Sequence, residues 1–110
     1  MNWNLNNTNI TLEYSHINLK TLLEEICKNK NTFSHYEFAQ WCDNLTMIFE
    51  DDEREWDDEE TVMIGVARDI ECQWDLFLVN TYSMEELQSI DLSKVELPQQ
   101  WFIDWKKEMD

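Results

Sequence analysis

The sequence predicts an all-α fold: a compact bundle of four to five helices, formed by a single acidic domain spanning residues 1–110. Three observations carry this. Glycine and proline occur once each, as Gly65 and Pro98, whereas a sandwich or barrel needs many turns that draw on both. Apolar residues recur at helical spacing over three long stretches. Two Ser-x-x-Glu sequences, Ser34 to Glu37 and Ser83 to Glu86, have the form of capping boxes. The chain is 43% hydrophobic and holds six tryptophans. That supply fills one core without staples, since domains of this size bury well over half their unfolded surface.

The opening MNWNLNNTN is asparagine-rich and reads as irregular. Ile10, Leu12 and Tyr14 then alternate with polar residues, so a short N-terminal strand is the alternative there. The first helix is expected to start near Asn18, whose side chain can accept from first-turn amides. Ile17 and Leu22 would form its hydrophobic staple. Leu19, Leu22, Leu23, Ile26 and Cys27 make one buried stripe. Lys28 and Lys30 suit the negative end of its dipole.

The second helix carries the clearest local signal. Ser34 and Glu37 form its capping box, flanked by Phe33 and Phe38. Phe38, Trp41, Cys42, Leu45, Ile48 and Phe49 follow as a core-facing stripe. The third helix is expected over about Asp58 to Asn80, capped by Asp57 and Glu60. Met63, Val66, Ala67, Ile70, Trp74, Phe77 and Leu78 form its buried face. Gly65 costs about 1 kcal/mol against Ala in a helix interior and is read as a point of close helix approach. A strand over TVMIGV is the alternative. Ser83 and Glu86 start a short fourth helix, with Tyr82 and Leu87 as its staple, ending near Asp91. Pro98 suits the first turn of a last helix, with Trp101, Phe102, Trp105 and Met109 inward and Lys106 and Lys107 near its end.

Charge is the informative quantity. Twenty-four acids stand against eight bases, a formal net charge of −16. Solubility needs a magnitude of only about 2–8 in a small domain. Duplex DNA, RNA and anionic membranes should repel this chain, and basic protein surfaces should attract it. The acids concentrate in EDDEREWDDEE, where nine of eleven residues are acidic. Glu50, Asp51, Asp52, Glu53, Glu55, Asp57, Asp58, Glu59 and Glu60 are therefore the candidate partner-binding residues. Trp56 is a candidate aromatic anchor among them, because binding hot spots favour tryptophan.

Catalytic chemistry finds no footing in the sequence, and no cofactor or metal is expected. His16 and His35 are the two histidines, and His35 falls beside a helix cap, where a surface or capping role is expected. One glycine cannot build a phosphate-cradling loop. The acidic run lacks the glycine and alternating ligands of a calcium loop. Cys27, Cys42 and Cys72 form no C-x-x-C pair. Each falls in an apolar helical pattern, so buried reduced thiols are expected. The N-terminus has no signal-peptide pattern and no stretch reaches membrane-span length. A cytoplasmic location is the expectation.

The stretch Phe33 to Asp51, FSHYEFAQWCDNLTMIFED, resembles bacterial toxin-immunity proteins of the colicin and contact-dependent growth-inhibition type. In these a Ser or Thr cap precedes a pattern like E-F-x-x-W-A. Glu37, Phe38 and Trp41 match it, and Cys42 stands where alanine is more usual. The order that follows is also similar: a long third helix, a short capped helix at SMEEL and a tryptophan-bearing last helix, so that the resemblance covers about residues 17–108. It implies a helical protein without catalytic residues that binds and neutralises a cognate basic toxin domain, a nuclease, by blocking its active site or substrate groove. The alternative expectation is a phage-encoded inhibitor that mimics nucleic acid, of the anti-CRISPR or anti-restriction kind.

Overall fold

A computed structural model describes residues 8–51 and 55–110. Five α-helices lie among them: α1 His16–Cys27, α2 His35–Glu50, α3 Asp58–Thr81, α4 Met84–Ser89 and α5 Gln99–Met109. A 3-10 turn, Leu92–Lys94, stands between α4 and α5. The described residues contain no strand, so the all-α bundle forms as expected. None of these helices is long and apolar enough to cross a membrane.

The start of α1 differs from expectation. Ser15, not Asn18, is its N-cap, and the Ser15 hydroxyl accepts from the Asn18 amide at 3.2 Å. Asn18 lies inside the first turn, where its side-chain amide donates to the Glu13 carbonyl at 2.9 Å. Starting earlier turns Ile17 outward, 73% exposed, so it is no staple. The helix stops in a Schellman motif: Asn29 adopts φ 55°, Lys30 N–H donates to Glu25 and Asn29 N–H to Ile26. Asparagine is one of the few side chains that tolerates that left-handed position.

The local signals of α2 hold. Ser34 Oγ accepts from Glu37 N–H at 3.0 Å, and the Glu37 carboxylate accepts from Ser34 N–H at 3.5 Å. The Phe33 and Phe38 rings pack with centroids 6.1 Å apart. Phe38, Trp41, Cys42 and Leu45 are buried, and Ile48 and Phe49 are half-buried. Asp57 and Glu60 form a reciprocal box at the start of α3, as Ser83 and Glu86 do for α4. TVMIGV is helical. Gly65 is exposed, and a Cβ built there meets nothing within 4 Å. No helix approaches it, which corrects the sequence expectation. Pro98 sits at the N-cap of α5 rather than inside its first turn.

The core forms where α2 packs along α3 and α1 packs against α5, with α5 also reaching α3. Leu19, Leu23, Trp41, Leu45, Met63, Ile70 and Phe102 are completely enclosed. Each such side chain contributes about 1.5–3 kcal/mol by burial. Ile64, absent from the expected buried face of α3, is also enclosed.

Long-range contacts hold both residues 8–14 and the segment before α5. Residues 8–14 run across α2 without strand pairing. There Asn9 N–H donates to the Glu37 carboxylate, Trp41 Nε1 donates to the Leu12 carbonyl at 3.2 Å, and Ile10 is buried. His35 holds the segment before α5: its Nδ1 accepts from Leu97 N–H at 2.9 Å, and its ring lies 4.5 Å from that of Phe102. Burial lowers its pKa, opposed by nearby Glu96. His35 is thus an internal latch rather than a surface residue.

Candidate acidic docking face

The described residues of the acidic run divide between the end of α2 and the start of α3. Glu50 closes α2 and receives Arg68 Nε from α3 at 2.6 Å. Asp51 is the C-cap of α2, and its amide donates to the Met47 carbonyl. Asp57 and Glu60 cap α3, while Asp58 and Glu59 fill its first turn, where the helix dipole favours acids. Glu55 is exposed, and Glu59 lies 3.8 Å from His16 Nδ1. Asp52 and Glu53 lie outside the described residues. Trp56 is half-buried, with its Nε1 donating to the Phe49 carbonyl at 3.3 Å and the Arg68 guanidinium 5.8 Å from its ring. It is thus held within the chain while partly exposed.

The exposed face of the third helix is the sequence's other candidate interface, and the structure supplies its residues on the outward side of α3. At 100° per residue, Val62, Gly65, Asp69, Cys72, Leu76 and Val79 fall on one stripe. Val62, Leu76 and Val79 are 42%, 45% and 60% exposed. Cys72 is exposed on the same stripe, Cys27 is half-buried, and only Cys42 of the three is buried. The expectation of three buried thiols fails because Cys72 follows the period of the outer face, not the core face.

A cleft flanks this ridge on each side. Toward α2 lies a cavity of about 190 Å³ lined by Tyr36, Gln40, Asp43, Glu71, Trp74 and Asp75. Tyr36 and Trp74 stack there with centroids 5.8 Å apart and planes at 23°. Glu71 is pushed up to about 7, first by burial, then by its hydrogen bond with Asp43 and by the charges of Asp43, Asp75 and Glu50. Carboxylates this close cannot all ionise without cost.

Toward α5 lies a cavity of about 300 Å³ lined by Asp69, Gln73, Trp101, Asp104, Trp105 and Glu108. Trp105 Nε1 donates to Asp69 at 2.6 Å, and Trp101 and Trp105 meet edge to face at 6.2 Å. Sequence periodicity placed both tryptophans in the core. The structure buries Trp105 and leaves Trp101 half-buried at the cavity. Its carboxylates come from helices far apart in the chain, and no local pattern could have joined them.

The face is negative because cations are few. Along α3 six acids accompany one base, Arg68, which is already paired with Glu50. Lys20 and Lys106 are engaged with Asp110, at 2.8 and 3.3 Å. Among the described residues no three of His, Cys, Asp and Glu are arranged to hold a metal ion. Burial holds the Cys42 thiol well above its usual pKa, so it is protonated as well as enclosed. The arrangement suits recognition of positive charge beside an apolar ridge. Comparison with known protein families, curated proteins and solved structures finds no match to this chain.

Proposed function

We propose that the chain is an immunity protein, a stoichiometric inhibitor that binds a basic nuclease toxin domain and blocks its active site or substrate groove. The observation that carries this is the surplus of acids along α3 and the run before it, around exposed Val62, Leu76 and Val79. A groove evolved for phosphates presents arginines and lysines, and carboxylates can take the place of phosphate oxygens in bidentate contacts. The negative field speeds encounter, toward about 10⁸–10⁹ M⁻¹s⁻¹ at low salt. The resemblance of Phe33 to Asp51 supports the toxin class of the partner. Capture by the tagged protein from lysate of its native host, identified by mass spectrometry, tests the reading. A single basic nuclease domain recovered in equal amount, and inhibited at one-to-one ratio, is expected. Recovery of no basic protein, or of one left fully active, contradicts it.

A second reading, a phage-encoded, nucleic-acid-mimicking inhibitor of a nucleic-acid enzyme, draws on one observation. The acids are not confined to residues 50–60 but continue along α3 into both clefts. Capture of a large nucleic-acid-handling complex instead of a small toxin would favour it.

A further inference from the structure

We propose that the cavity between α3 and α5 is a recognition pocket for one arginine side chain of the basic partner, stacked against Trp101 and held by the carboxylates of Asp69, Asp104 and Glu108. The proposal deepens the reading of a basic partner and rests on it.

The cavity combines the two features that a guanidinium selects. Its floor is aromatic, and an arginine plane stacks on indole better than an ammonium does. Its rim is carboxylate, and a guanidinium donates to such groups in a fork. Trp105 is enclosed and fixed by its bond to Asp69, so the indole pair is preorganised. Trp101 is braced edge-on by Phe77, with centroids 6.0 Å apart, while remaining half-buried. Asp104 receives one bond at Oδ1 from Gln100, and Glu108 is exposed. The nearby cations do not fill the cavity: Lys106 points to Glu24 and Asp110, and exposed Lys107 lines no part of it.

Size and charge choose the occupant. About 300 Å³ is the lower limit for pockets that take drug-sized ligands, which fits a single side chain. A second copy of this chain would bring another −16 against the same face. The ridge of Leu76 and Val79 beside the pocket, 45% and 60% exposed, gives the residues flanking that arginine an apolar surface to cover.

The probe is the capped tripeptide Gly-Arg-Gly, compared with Gly-Lys-Gly and with Gly-citrulline-Gly, the neutral isostere of arginine. The indole N–H signals of Trp101 and Trp105 report binding by NMR. Saturable shifts confined to these two, stronger for arginine than lysine and absent for citrulline, are expected. Glu108→Gln with Asp104→Asn, both exposed positions, and Trp101→Ala should each weaken binding about five- to tenfold or more, with helicity checked by circular dichroism. Non-saturating shifts spread over the acidic surface, or unchanged binding by the carboxamide variant, would overturn the pocket. The captured partner separates this from the wider reading. If it binds wild type and the carboxamide variant equally, the pocket fails and the inhibitor reading stands. If the tripeptide saturates but no basic partner is captured, the pocket stands and the inhibitor reading fails.

Discussion

Replacing His35 by leucine should uncover a pH-dependent latch. The perturbation keeps an apolar side chain of similar size against Phe102 but removes the acceptor for Leu97 N–H, 2.9 Å away. An amide left unpaired in a half-buried place costs about 1 kcal/mol, the lower end of the range for buried groups. The lost ring contact at 4.5 Å adds about 0.5–1 kcal/mol. The variant should therefore be less stable by about 1.5–2 kcal/mol, or about 6–8 °C in Tm at this chain length. The gap should itself depend on pH. Burial depresses the folded pKa of His35 below 6.5, so the unfolded chain binds the extra proton first as pH falls. The latch is then fully present above about pH 6.5 and is lost on acidification through the folded pKa. Glu71 titrates in the opposite sense. Raised to about 7, it stabilises the fold when protonated and loses that contribution as pH rises through about 7. The proteins with and without His35→Leu should accordingly be compared in a Glu71→Gln background, by urea unfolding at about pH 8 and pH 5. A gap that narrows toward pH 5 is expected. A gap that is constant, or widens on acidification, refutes the latch.

Further perturbations follow from the same structure. Gly65→Ala should stabilise the protein by about 1 kcal/mol, because the position is an exposed helix interior with open space for a Cβ; a loss of stability in thermal unfolding would show an unseen constraint. Glu71→Gln should raise stability at about pH 8 by up to about 1 kcal/mol, since it is half-exposed and solvent screens much of the repulsion it relieves. The benefit should shrink markedly by about pH 5 and disappear only below the unfolded pKa of about 4.5, as followed by urea unfolding. An aromatic disulfide reagent should label Cys72 quickly, Cys27 more slowly and Cys42 only on unfolding. Rapid labelling of Cys42 in the native state would contradict the packing of α2.

What was legible in the sequence was local. The boxes at Ser34–Glu37, Asp57–Glu60 and Ser83–Glu86 join residues three apart, so they and the helices they open could be read directly. The start of α1 misled because Ser15 and Asn18 are both competent caps, and the choice turned on the bond from Asn18 to Glu13. His35 was illegible because its partner Leu97 is 62 residues away. Gly65 and Cys72 went astray for one reason. Both follow a second helical period on α3, and periodicity alone does not say which face meets the core. The two clefts were hidden in the same way. Asp43 meets Glu71, and Asp69 meets Trp105, only once α2, α3 and α5 are packed.

Capture of a basic protein partner by long-range attraction to the acidic face, as proposed, makes association depend on salt. Stopped-flow association of the captured partner with wild type, and with a variant neutralised at Asp51, Asp52, Glu53 and Glu55, tests it most directly. Raising salt from low to about 0.5 M should slow wild-type association far more than it speeds dissociation, and the variant should associate more slowly at low salt with its fold intact. Association that is independent of salt, and equal in the two proteins, would contradict it.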